Sequence, residues 1–349
     1  MVEEDYFHQA MRISTSRQRM LDALSFNNPD KIPVIYNIWH PGGLARHGQK
    51  MIDLYMQYPP DNPIAFGAIP APPPGTIQPD GKYHEIKKDE WGTVWQSVIF
   101  GIAGHPVDYP FENWAEATGY AFPPLPVCDT QAIQEQKKQY FITGFWVSIF
   151  QKICELRPID EVLMSILEED EDLLAFLDRL VDYWQKVIQI AIDGGMDAVM
   201  FGDDWGTETS TTISPGLFRK LFKPRYEKLM KPIKNAGRKV FFHSCGHLGE
   251  IFDELAGLGI DCLWPQIRLH ESDPHALAKC LEKKIAIYVH PDRQRLIPLG
   301  TPAEIDAEIR RYCEQYKKNG GGAIFHVEME SDTPFENVEA LILAIHKYR

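Results

Sequence analysis

The chain has 349 residues, 44% hydrophobic and 24% charged, with a formal net charge of -13. That composition supports a large buried core without disulfide staples and excludes a disordered chain. The negative balance excludes nucleic acid as a partner, and the lack of any apolar run near ~18 residues excludes a membrane span.

The N-terminus carries Glu3, Glu4 and Asp5 and no apolar stretch of signal-peptide type, so a cytoplasmic protein is expected. The first β-rich run covers residues 32–36, and Tyr36, Trp39 and His40 at its end are candidate pocket residues. Residues 63–66 read as a second strand. From about 58 to 126 the pattern gives way to Pro- and Gly-rich stretches. Tyr83, Trp91, Trp95, Phe100, Tyr109 and Trp114 within it predict an insertion that folds back on the body, with Trp91 a further pocket candidate. Residues 140–143 form a third strand. Leu173, Leu177, Leu180, Trp184 and Ala191 then recur with helical period up to Gly194-Gly195, which predicts one long amphipathic helix.

Beyond Asp193 a short apolar run, a polar joint and a helical segment repeat. The runs are 198–201, 239–242, 260–264, 285–289 and 323–327, which brings the strands to eight. Ser214-Pro215, Asp273-Pro274, Thr301-Pro302-Ala303-Glu304 and Thr333-Pro334-Phe335-Glu336 open helices, the last two as capping boxes. The fold class is therefore α/β: a (β/α)8 barrel, one domain over 1–349, with the insertion after its second strand.

In such barrels catalytic groups stand where strands end and loops begin. Those positions hold Asp203-Asp204, His243-Ser244-Cys245, His290 and His326-Val327-Glu328. His243 and Cys245 lie two apart, so an extended strand end turns both to one side, and imidazole with thiolate suits Zn2+. The other five of the six cysteines read as buried small hydrophobes. His326 and Glu328 alternate onto one face at the same mouth. Either completes a three-donor set, with Glu328 preferred. Asp203 and Asp204, adjacent carboxylates that repel each other, are candidates for a general acid or a substrate anchor. His290 is a further substrate-binding candidate.

The segments 17–24, 29–33, Gly202-Asp203-Asp204-Trp205-Gly206, Phe242-His243-Ser244-Cys245-Gly246 and 333–338 together resemble the uroporphyrinogen decarboxylase superfamily, over nearly the whole chain. Decarboxylases of that family carry paired arginines after the first strand, whereas residues 39–46 here lack the pair. His243 and Cys245 instead match the zinc-dependent, corrinoid-linked methyltransferase branch, in which thiol-methylating members add a third ligand that is a cysteine. No cysteine follows Cys313, which favours Glu328 or His326 as its substitute. The resemblance implies a methyltransferase moving a methyl group from a small methyl donor to cobalamin carried by a separate corrinoid protein. A carboxylate or imidazole in place of a thiolate leaves zinc a stronger Lewis acid, so the expected reaction is of O-demethylase type with a methoxylated aromatic as the preferred donor. Two alternatives are a metal-independent decarboxylase using Asp203 or Asp204 and a binding protein with a structural zinc. A homodimer is the default assembly.

Overall fold

The computed structural model describes residues 14–270, 277, 280, 282 and 284–349. Strand β1 (Val34–Asn37) opens the body, and β2 (Glu85–Lys88), β3 (Val94–Ser97) and β4 (His105–Asp108) form a separate antiparallel sheet inside the insertion. The body continues with β5 (Thr143–Val147), β6 (Ala198–Gly202), β7 (Lys239–Ser244), β8 (Cys262–Pro265), β9 (Ala286–Val289) and β10 (Ala323–Glu328). These pair in parallel in the order β1-β10-β9-β8-β7-β6-β5, with helices in the crossovers, and the curled sheet is a TIM barrel.

Period-two alternation sorts the side chains of each strand. Val34, Tyr36, Val199, Phe201, Val240, Phe242, Phe325 and Val327 pack outward against the helices. Phe141, Ala198, Phe241, Cys262, Ala286, Tyr288 and Ile324 fill the barrel interior, where Met20, Ala23 and Leu24 of the helix Ser16–Leu24 join them. The side chains one step further along the inward rows, among them His243, His326 and Glu328, therefore stand above a packed floor.

The expected second strand is a correction. Residues 63–66 form no ladder, and Pro63 has no N–H to contribute to one. Just before them, side chains do the pairing. Asp61 donates its N–H to the Val34 carbonyl at 2.7 Å and takes the Val34 N–H on its carboxylate at 2.9 Å. The Asn62 amide takes the Tyr36 N–H at 2.9 Å and donates to the Tyr36 carbonyl at 3.1 Å. The eighth stave is thus stitched to β1 by an aspartate and an asparagine.

The helix signals fare unevenly. Thr301 and Glu304 form the capping box of the helix Pro302–Lys317, and Ser214 caps the short turn that begins at Pro215. The long helix runs Glu171–Asp193, capped by Asp170. Thr333, however, turns its hydroxyl to Asp332, and the last helix begins only at Phe335 without a side-chain cap. Asp273-Pro274 lies outside the described residues. In the insertion, Trp91 packs on Trp184 with ring centroids 5.8 Å apart and Phe122 stacks on Tyr183, so the segment does fold onto the body. Among the described residues no helix is long and apolar enough to cross a membrane.

Asp61 is buried between the guanidinium groups of Arg19 and Arg349 while holding the β1 backbone. Removing one partner of such a network strands the others, so Asp61→Ala is expected to lower the unfolding free energy by about 3–5 kcal/mol, read from urea denaturation.

Candidate metal centre at the barrel mouth

Strand β7 runs on through His243 and Ser244, so Phe241, His243 and Cys245 continue one inward row. The His243 Nδ1 lies 3.0 Å from the Trp264 carbonyl oxygen. A carbonyl only accepts, so Nδ1 carries the proton and Nε2 presents a bare lone pair. That Nε2 is 3.4 Å from the Cys245 Sγ and 3.5 Å from the Asp204 Oδ1.

Asp204 reaches this point because two loops cross. The Gly206 N–H donates to the Cys245 carbonyl at 3.1 Å, the His247 N–H to the Thr207 carbonyl at 2.7 Å, and the Cys245 N–H to the Asp204 carboxylate at 2.8 Å. The crossing is possible only between glycines. A Cβ on Gly246 would stand 2.0 Å from the Gly206 carbonyl carbon, and Gly246 has φ +81°, a left-handed conformation that disfavours any side chain.

Among the described residues, Asp204, His243 and Cys245 are the group whose donor atoms all lie within 4.8 Å of one another. The set joins one thiol, one imidazole nitrogen and one carboxylate oxygen, a combination that suits Zn2+. Burial and then the Asp204 charge push the Cys245 thiol up to about 12, whereas a coordinated divalent ion deprotonates a thiol outright. The His243 hydrogen bond to a backbone carbonyl is the kind of support that orients a metal-bound imidazole.

Among the described residues the third donor atom within reach of His243 and Cys245 is that of Asp204, and the expected candidates Glu328 and His326 stand outside that group. Glu328 has other partners: the Asn37 amide donates to it at 2.5 Å, the Arg293 guanidinium lies 3.3 Å away and His326 Nε2 lies 3.5 Å away. Burial alone would raise the Glu328 pKa, but His326, His290 and His40 outweigh it and hold the carboxyl far below its usual range. Glu328, His326 and Asn37 therefore form a second polar group, joined by His40, whose Nε2 is 4.0 Å from the carboxylate.

The adjacent aspartates part company. Asp203 is fully buried and accepts from the Ser148 hydroxyl at 2.8 Å, the Ile149 and Gln151 N–H groups and the Tyr226 hydroxyl at 2.5 Å. Burial raises its pKa to about 6 against the pull of these donors. It ties β6 to the start of the helix Phe150–Leu156 and does not face the mouth beside its neighbour.

Two pocket candidates belong to the core. Tyr36 lies in the outward row of β1, its hydroxyl donating to the Tyr58 carbonyl at 2.6 Å, and Trp91 sits under the insertion with the Lys152 ammonium 4.4 Å over its ring. Trp39 is 89% exposed at the rim. His290 stands at the mouth beside His326, ring centroids 4.8 Å apart.

The aromatic lining of the mouth was missed. The Trp264 ring lies 4.4 Å from His243 and 4.1 Å from His326, and Trp146 lies 5.7 Å from His243. Trp146 crosses where Gly202 has no side chain; a Cβ there would meet its indole at 1.6 Å. Alternation from Cys262 turns Trp264 inward, whereas Trp146 lies beyond the expected strand at 140–143, since β5 runs Thr143–Val147.

A parallel barrel with a thiol, an imidazole and a carboxylate at the C-terminal ends of its strands defines a TIM-barrel protein with its site in the position usual for enzymes of that fold. The family model "Uroporphyrinogen decarboxylase (URO-D)" matches residues 126–348, and the chain belongs to that family. Uroporphyrinogen decarboxylase from Methylococcus capsulatus is 27% identical over 206 residues, 55% of this chain and 53% of that protein, so the match spans about half of the relative's length. A methyltransferase from Methanosarcina mazei shares the fold at a TM-score of 0.58 with 19% identity, over 96% of this chain and 99% of the other.

Gly246→Ala is expected to cost at least about 2 kcal/mol, since it adds both backbone strain and a clash with Gly206. The check is a lowered thermal unfolding midpoint.

Proposed function

We propose that the protein is a zinc-dependent methyltransferase that passes a methyl group from a small methoxylated aromatic compound to cobalamin carried by a separate corrinoid protein. The observation that carries the reading is the convergence of Asp204, His243 and Cys245. His243 and Cys245, with Asp204 as third donor, would hold the ion. Bound zinc supplies Lewis acidity toward the ether oxygen, and cobalamin supplies the methyl acceptor. A donor set with a single thiolate leaves zinc more acidic than a thiolate-rich one, which favours ether cleavage over thiol activation.

The residues of the chain do the rest. Trp146 and Trp264 offer flat apolar surface for an aromatic ring beside the donors. Asp203 acts as a positioning residue, holding the end of β6 from which Asp204 projects. The alternative, metal-independent decarboxylation, draws no support from Asp203, whose carboxylate is taken up by four donor groups away from the mouth.

The purified protein is expected to bind about one zinc per chain, and Cys245→Ala to lose both zinc and the formation of methylcobalamin from cob(I)alamin and 2-methoxyphenol. Full activity in metal-free protein would overturn the reading, and CO2 release from an aromatic acid by chelator-treated enzyme would select the decarboxylase. For the third donor, Asp204→Ala is expected to weaken zinc binding at least about tenfold while Glu328→Gln keeps it. The reverse pattern, in a competitive chelator titration, assigns the role to Glu328.

A further inference from the structure

Trp264 is hydrogen-bonded to two histidines, and the chemistry of its two groups sorts their protons in opposite ways. Its carbonyl oxygen takes the Nδ1 proton of His243 at 3.0 Å. Its indole N–H, which only donates, points at the Nδ1 of His290 at 3.3 Å. Nδ1 of His290 is therefore the unprotonated nitrogen, since a proton there would face the indole proton. The proton of neutral His290 sits on Nε2. That atom is buried and has no hydrogen-bond partner among the described residues. A buried donor left unpaired costs free energy that a ligand acceptor recovers.

We propose that His290 is a specificity-determining residue, which donates its Nε2 proton to a second oxygen substituent, hydroxyl or carboxylate, on the aromatic substrate. The inference rests on the proposed function for the ring and its methoxyl group. Its own ground is the Trp264–His290 hydrogen bond. Trp264 thereby leaves a lone pair on Nε2 of His243 and a proton on Nε2 of His290.

The test has two arms. In long-range proton–nitrogen spectra of the full chain labelled with nitrogen-15 histidine, the signal lost in His290→Gln is expected to show the Nε2–H tautomer; an Nδ1–H tautomer overturns the proposal. In calorimetric titrations of the protein as purified, 2-methoxyphenol and 2-methoxybenzoate distinguish hydroxyl from carboxylate, and methoxybenzene lacks the second oxygen. His290→Phe is expected to weaken the preferred two-oxygen probe about tenfold and to leave methoxybenzene unchanged, while His290→Gln, which keeps an N–H, recovers most of the loss. Equal weakening of all three probes, no weakening, or no binding of any probe to the unaltered protein overturns it. Zinc content measured on the same samples separates the two readings. Absence of zinc with the His290 effect intact defeats the metal assignment alone, and zinc present with no His290 effect defeats this one alone.

Discussion

The contact between Gly206 and Gly246 is the constraint on which the mouth depends. The loops after β6 and β7 pass so closely that neither tolerates a side chain at the crossing. The short bonds from Gly206 to Cys245 and from Cys245 to Asp204 follow from that approach. Three donors that would otherwise repel or ignore one another are thus held together by backbone geometry, and the folded chain carries the cost before any ligand arrives. This is preorganisation of the kind the proposed metal site requires: a bound ion would not have to gather its ligands.

Around that crossing the structure spends its polar groups on orientation. Asp203 collects two hydroxyls and two amides to anchor β6. The Ser244 hydroxyl takes the Trp205 N–H at 2.9 Å, and the Gln266 side chain takes the Gly246 N–H at 3.1 Å. The first bond joins a loop to the end of the strand beside it, and the second joins two neighbouring loops. The donors consequently stand on a network that runs sideways through β6, β7 and β8.

The sequence made the barrel legible where local rules suffice. Strand runs, the helix at Glu171–Asp193 and the Thr301 cap follow from periodicity and capping chemistry. The pairing of His243 with Cys245 follows from alternation alone. What stayed hidden is non-local. Asp204 was visible as one of two mouth carboxylates, but the loop crossing that separates it from Asp203 has no signature beyond two glycines. Tyr36 and Trp91 followed the outward rows and the insertion core, where aromatic residues are equally at home. Residues 63–66 looked like a strand because their composition does, yet proline and the side chains of Asp61 and Asn62 closed that stave by other means.

That seam has a mechanical meaning. A sheet bonded all the way round resists ovalling everywhere, whereas one interrupted between β5 and β1 yields first at the gap. In the order β1-β10-β9-β8-β7-β6-β5, strand β8 has three strands on either side. Trp264, which sets the proton on both His243 and His290, stands on the strand farthest from the compliant edge. Three backbone ladders on either side separate the strand that carries Trp264 from the two ends of the sheet.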